Sequence, residues 1–393
     1  MNSTDKLFLL DAYALIYRSY YAFIKNPRIN SKGFNTSAIL GFVNTLEEVL
    51  KKENPTHIGV AFDPSGPTFR HEAYEQYKAQ REETPEAIRL SVPIIKDIIR
   101  AYRIPILEVS GYEADDVIGT LATEAGRQGI ITYMMTPDKD YGQLVSDNVF
   151  MYRPKHSGGF EVMGIEEIKN KFNIRSTEQV IDMLGLMGDS SDNIPGCPGV
   201  GEKTAQKLVA EFGSIENLLA HTDQLKGALK TKVEANREMI TFSKFLATIK
   251  VDVPIKLDMT TLVREEPDEE KLRKIFEELE FRTLIDRVLK KSGAPLSSSS
   301  NSVSPDLYAG TLFARPVDSP TPENNGPVQG DLFANFADNG TGNAENSNLT
   351  HLEMLDVDYQ LIDTEEKRSE IIQKLLTTEI LSIDTETTGT EPM

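Results

Sequence analysis

The chain has 393 residues, more than one ordinary core holds, so two or three domains are expected. Its 42 basic and 61 acidic residues give a net charge of −19, which excludes indiscriminate attraction to nucleic acid through overall charge. The single cysteine, Cys197, excludes a disulfide framework, no apolar run approaches the length of a membrane span, and Asp11 falls where a signal peptide would need an apolar stretch. A protein of the reducing cytoplasm without a membrane partner is expected.

Taken in order, Leu7 to Leu10, Thr36 to Lys51, Ile58 to Phe62, Pro85 to Tyr102, Ile104 to Val109, Glu113 to Arg127 and Ile130 to Thr136 alternate short apolar runs with amphipathic stretches. That alternation predicts strands and helices of a parallel α/β sheet. Apolar runs end in Asp11, in Asp63 and in Asp138, with Asp140 two residues on. In open parallel sheets ligands bind at this carboxyl edge. Glu113, Asp115 and Asp116 crowd the start of the helix that Val117, Ile118 and Leu121 continue, an end where the helix dipole favours acids. Each acid alone could simply cap a helix. Together they would repel by about 4 kcal/mol per close pair at an effective dielectric near 20, a cost that divalent cations remove. Two-metal phosphodiester hydrolysis needs such a convergence of carboxylates.

Between Asp63 and Pro85, Arg70, Lys78 and Arg81 interleave with Phe69, Tyr74 and Tyr77. The mixture suits phosphate clamping and base stacking, and it equally suits a solvated helix whose tyrosines pack on the sheet. From about Ser176 to Lys291 the pattern is helical, with segments such as Glu202 to Phe212 and Lys271 to Leu289. Within it Gly196, Gly199 and Gly201 form a glycine-rich turn ahead of Lys203 and Thr204, able to bring backbone close to a phosphate or to make only a tight connection between helices. Residues 292–350 carry serine, asparagine, proline and glycine runs with almost no apolar periodicity and are expected to be a disordered linker. Residues 351–393 read as the opening of a further α/β domain, incomplete within the chain.

The segments GYEADD, DKDYGQLV, GDSSDNIPGCPGVGEKTA and FRHEAYEQYKAQR, in this order and spacing, resemble the 5′ nuclease domain of bacterial DNA polymerase I and related flap endonucleases over roughly residues 5–290. The resemblance implies a PIN-like nuclease core over residues 1–175 and a helix-hairpin-helix subdomain over 176–291. It implies that Asp11, Asp63, Glu113, Asp115, Asp116, Asp138 and Asp140 hold two Mg2+ ions, with Mn2+ as an alternative, and it adds Asp189 and Asp192 to them. It casts residues 66–84 as a helical arch in which Lys78 and Arg81 reach the scissile phosphate and Arg70 and Tyr77 contact DNA. It gives Gly196, Gly199, Gly201, Lys203 and Thr204 a sequence-independent grip on duplex backbone with a bound K+ ion. Tyr17, Arg18 and Tyr21 on the first helix are placed to meet the substrate or to pack in the core.

The expected activity is therefore cleavage of DNA at 5′ ends, flaps and nicks by a monomer; the alternative is a DNA-junction binder without catalysis. EILSIDTETTG resembles the first motif of a 3′ to 5′ exonuclease, with Asp384 and Glu386, but the rest of such a site is absent from the chain. QGDLF, with Gln329, Leu332 and Phe333, resembles a peptide that docks on a sliding clamp, although five residues also arise by chance.

Overall fold

The computed structural model describes residues 5–155 and 158–289 and, in a second unit that begins at Asp338, three helical positions, Lys367, Ser369 and Gln373. The expected linker, the clamp-docking residues Gln329, Leu332 and Phe333, and Asp384 and Glu386 lie outside the described residues. Among the described residues no helix is long and apolar enough to cross a membrane.

In chain order the first unit comprises β1 (Lys6–Asp11), α1 (Ala12–Ala22), α2 (Ser37–Lys52), β2 (His57–Ala61), α3 (Phe69–Ala73), α4 (Glu86–Ala101), β3 (Ile106–Leu107), α5 (Ala114–Arg127) and β4 (Ile131–Met135). A 3₁₀ turn (Lys139–Leu144), β5 (Val149–Pro154), β6 (Phe160–Met163) and α6 (Ile165–Phe172) follow. The chain then becomes helical through α7 (Gln179–Met187), α8 (Glu202–Phe212), α9 (Ile215–Ala220), α10 (Gly227–Ala235), α11 (Arg237–Ala247), α12 (Glu269–Glu278) and α13 (Arg282–Leu289).

The sheet order is β3-β2-β1-β4-β5-β6, parallel except for the β5–β6 pair. β1 is fully apolar along Leu7–Leu10 because both of its faces are covered. Leu7 and Leu9 enter the core shared with α5, while Phe8 and Leu10 enter the opposite core with α1, α2 and α4. β1 pairs with β2 on one side and β4 on the other, so the direction of strand addition reverses there. Asp11, Asp63, Asp138 and Asp140 follow the carboxyl ends of these three strands, where the diverging connections leave a crevice.

Four differences from the sequence expectation have physical causes. The segment expected as a helical arch is helical only over Phe69–Ala73, because Lys78 takes a left-handed backbone (φ 56°) and its N–H bonds Asp192 O at 3.0 Å. The single helix expected at Lys271 to Leu289 breaks between α12 and α13, where Glu280 has φ 64°. Those two helices do not join the others of the 176–291 segment: Leu272, Phe276, Leu284 and Leu289 are buried in the core of α2 and α4. Strands β5 and β6 went unassigned in the sequence because they are short and lie on either side of a glycine pair, Gly158 and Gly159.

Because Phe276 is fully buried in that core, Phe276→Ala should lower the unfolding free energy by about 3–5 kcal/mol, the usual range for an emptied aromatic site. Urea titration of the variant would check this. A loss under about 1 kcal/mol would mean that α12 is peripheral.

Candidate active site

The strand-end acids are fixed by the elements they terminate. Asp11 caps α1, one oxygen accepting from Ala14 N–H at 3.1 Å, while the other accepts from the hydroxyls of Thr136 (3.1 Å) and Tyr141 (3.3 Å). Asp63 accepts from the Ala114 N–H at 2.7 Å, so it touches the first residue of α5. Asp138 starts the 3₁₀ turn and accepts from Asp140 N–H at 3.0 Å. Asp140 Oδ1 is buried with no hydrogen-bond partner. Glu113, Asp115 and Asp116 each offer a carboxylate oxygen, all within 4.8 Å of one another.

Burial and mutual repulsion raise the pKa of several of these groups. Burial, then Asp63 and Asp138, pushes Asp11 up to about 7. Burial and Asp116 raise Asp115 well above the ordinary carboxylate range, and burial, Asp138 and Asp189 do the same to Asp140. Asp192 is the contrast: against its burial, Lys78 and Arg81 hold it down at about 2.

The cations gather at the start of α5 and the 189–192 loop. Lys78 Nζ lies 2.7 Å from Glu113 and 3.8 Å from Asp192, and Arg81 pairs with Asp192 while its Nε donates to Ser191 O at 3.1 Å. Lys139 lies 3.1 Å from Asp189. Lys78 and Arg81 thus sit at the acidic edge, each bound to a carboxylate.

Arg70 does not reach solvent and cannot contact DNA as expected. It is 1% exposed, its Nη1 donating to Glu113 (2.9 Å) and Asp116 (2.8 Å), its Nη2 to Asp116 (2.9 Å) and Thr248 O (2.9 Å), and its Nε to Leu246 O (2.9 Å). Asp116 also accepts from the N–H groups of Glu113 (3.1 Å) and Lys250 (2.8 Å), so both of its oxygens are engaged by protein donors. Tyr77 needs the same correction. It is 3% exposed and its hydroxyl lies 2.9 Å from Glu113 and 3.2 Å from Asp192, which leaves no ring face for a base.

Asp189 and Asp192 arrive on a closed loop. Asp189 and Ile194 exchange N–H···O bonds of 2.9 and 2.8 Å, and outside them Gly188 (φ 71°) and Gly196 (φ 62°) press backbone to backbone. A Cβ at either glycine would lie 2.3–2.4 Å from main-chain atoms of the other side, so only glycine closes this loop. The loop is pinned to the 74–81 segment, with Asn193 donating to Gln76 O at 2.7 Å. The expectation that Gly196 approaches a phosphate is corrected: its buried N–H donates to Ser243 Oγ at 2.9 Å. Gly199, Gly201 and Lys203 are exposed at the start of α8, with Thr204 half-buried beside them. Tyr17 and Tyr21 stack with centroids 6.4 Å apart on α1, and Tyr21 is 46% exposed.

The sequence reading missed Lys139 and Gln143. Lys139 carried a signal, since it stands between two aspartates in DKD. Gln143 carried none, because two of its three partners, the Ala247 carbonyl and the Ile249 N–H, are main-chain groups a hundred residues away.

Models of two families match the chain: the 5′-3′ exonuclease N-terminal resolvase-like domain over residues 6–173 and the 5′-3′ exonuclease C-terminal SAM fold over residues 175–270. The 5′-3′ exonuclease of Aquifex aeolicus is 37% identical over 284 residues, covering 72% of this chain and 95% of that protein. The DNA polymerase I of Bacillus subtilis is 42% identical over 291 residues, covering 73% of this chain and 33% of that protein. The chain thus spans about a third of the length of the curated polymerase relatives it matches. A solved structure of T5 5′-exonuclease with bound divalent metal ions (zinc) superposes with a TM-score of 0.52 at 22% identity, covering 70% of this chain and 98% of that one, a likeness of fold.

The raised pKa of Asp11 has a thermodynamic sign. Its folded value of about 7 lies above the ordinary 3.8, so the folded state retains a proton that the unfolded state releases, and stability falls as pH rises from about 4 to 7. Asp11→Asn keeps an acceptor for the Ala14 N–H and removes this dependence. In chelator at pH 8 the variant should be more stable than wild type by about 1–3 kcal/mol, discounted for the partial exposure of the group. Denaturant melts at pH 5 and pH 8 would check it; a less stable variant at pH 8 would show that Asp11 is not held against repulsion.

Proposed function

The chain belongs to the 5′-3′ exonuclease family, and on that premise we propose that it is a structure-specific nuclease that cuts DNA at 5′ ends, flaps and nicks with two divalent cations. The observation that carries the metal reading is the imbalance along the acidic edge. Among the described residues no lysine, arginine or histidine lies within ion-pair distance of Asp11, Asp63, Asp138 or Asp140, and Asp140 keeps a buried oxygen without a donor. An all-carboxylate donor set suits hard cations, Mg2+ first and Mn2+ as the alternative.

Asp11, Asp63, Glu113, Asp115, Asp138, Asp140, Asp189 and Asp192 are the groups that would hold the cations, directly or through water. Asp116, engaged by Arg70, would instead fix the start of α5. Cations bound at such an edge supply charge neutralisation at the phosphate and acidify water. Lys78 and Arg81, bound to acids at this edge, would exchange those partners for the scissile phosphate. Gly199, Gly201, Lys203 and Thr204 would grip duplex backbone with K+, and the Tyr17–Tyr21 stack would receive a base. A junction binder without catalysis has no use for so many carboxylates beside a phosphate backbone.

A 5′-flap oligonucleotide incubated with the protein in magnesium and in chelator tests this directly. Asp140→Ala should abolish cutting and leave flap binding intact, and Lys78→Ala should slow single-turnover cleavage about a hundredfold, the scale of one lost electrostatic donor. Wild-type cutting in chelator, or by Asp140→Ala, would overturn the metal reading.

The polymerase relatives support the further proposal that this nuclease is the amino-terminal part of a DNA polymerase I type enzyme of the cytoplasm. On that view Gln329, Leu332 and Phe333 would tether it to a sliding clamp. A peptide of residues 327–336 should bind clamp near micromolar, about 8 kcal/mol, and lose binding when Leu332 and Phe333 become alanine. Equal calorimetric titrations of the two peptides would leave the segment without this role.

A further inference from the structure

Gln143 lies on the 3₁₀ turn that carries Asp140, and its side chain is buried with both ends of the amide in use. Its nitrogen donates to the carbonyls of Asp140 (3.0 Å) and Ala247 (3.1 Å), and its oxygen accepts from the Ile249 N–H (2.8 Å). Ala247 and Ile249 belong to the stretch 246–250 that ends α11. The same stretch is held by the other half of the acidic edge. Arg70 takes the carbonyls of Leu246 and Thr248 (2.9 Å each) while its guanidinium forks onto Asp116, and Asp116 takes the Lys250 N–H at 2.8 Å. Five consecutive residues are thus bound alternately by Arg70, Gln143, Arg70, Gln143 and Asp116. Each of these bonds fixes one acid-bearing element against a shared backbone.

We infer that Gln143 is a positioning residue that sets the spacing between the Asp138–Asp140 turn and the Glu113–Asp116 helix start, and through it the affinity for divalent cations. The inference rests on the metal reading proposed above. Carboxylates that share cations must meet the ideal metal–oxygen distances to within about 0.2 Å, and their relative placement is set by neither the sheet nor α5 alone, because the turn carrying Asp138 and Asp140 lies beyond β4. Gln143 is the side chain that joins that turn to the 246–250 stretch. Without its amide, the Ala247 carbonyl and the Ile249 N–H would lose the Gln143 bonds they have here, and the turn would lose its tie to the 246–250 stretch. Outer groups of this kind typically change metal affinity by about 10- to 100-fold.

The test uses the full chain, without DNA, and Mn2+ as the probe, titrated by the paramagnetic resonance signal of the free ion. Gln143→Met, nearly the same shape without the amide, should weaken Mn2+ binding about 10- to 100-fold, and Gln143→Asn, which keeps the amide on a shorter arm, should weaken it less. Duplex binding in chelator should stay within about twofold of wild type in both, as expected for a site apart from the α8 hairpin. If Gln143→Met fails to fold, Gln143→Asn decides. Wild-type Mn2+ affinity in the folded variants, or an equal loss of duplex binding, would overturn the inference alone. A wild type that takes up no Mn2+ would overturn the metal reading and this inference with it.

Discussion

Like-charge repulsion at one edge of one sheet governs the rest of the architecture. Nine carboxylates converge there, from Asp11, Asp63, Glu113, Asp115, Asp116, Asp138, Asp140, Asp189 and Asp192, while Arg70, Lys78, Arg81 and Lys139 are the cations among them. Each unscreened pair at about 4 Å costs about 4 kcal/mol at an effective dielectric near 20. The four cations form their ion pairs with the start of α5 and the 189–192 loop, and they act on Asp63, Asp138 and Asp140 only from beyond ion-pair distance. The cost shows in the raised pKa of Asp11, and a scaffold of buried hydrogen bonds holds the acids in place against it.

That scaffold is built from long-range hydrogen bonds rather than from the sheet alone. Arg70 is the clearest case. A buried guanidinium is tolerated only when each face of its fork finds an acceptor, and here two carboxylates and two carbonyls supply them. Removing it would strand Asp116 in a dry site, the costly half of a broken buried pair. The Gly188–Gly196 contact does for the loop what Arg70 does for the helix: it fixes Asp189 and Asp192 by closing the backbone, and Ser243 of α11 holds the closure from behind. α11 therefore touches the loop through Ser243 and the two other acid-bearing segments through residues 246–250.

The sequence made the strand-end acids legible because an apolar run that stops at an aspartate marks both an element and its edge, as at LFLLD, GVAFD and TYMMTPD. The start of α5 was equally plain, since acids ahead of Val117, Ile118 and Leu121 fit the helix dipole. Arg70 and Tyr77 were misjudged for a specific reason. An interleaved basic and aromatic segment looks the same whether its side chains turn outward to a phosphate or inward to buried acids, and only the distant partners Leu246, Thr248 and Glu113 decide. The attachment of α12 and α13 to the core of α2 and α4 was illegible for a related reason. Their apolar stripes state that they bury a face, and nothing local states against what.

The central claim is that the strand-end carboxylates are arranged for divalent cations rather than for helix capping alone. Crystals of the protein soaked in Mn2+ and measured at the manganese absorption edge test it most directly. The account predicts anomalous density within about 2–2.4 Å of oxygens of Asp140 and of at least one of Asp63, Glu113, Asp115 or Asp138, the range of metal–oxygen contacts. Well-ordered crystals in saturating Mn2+ with no anomalous density at this edge, and Asp140 still without a partner, would contradict it.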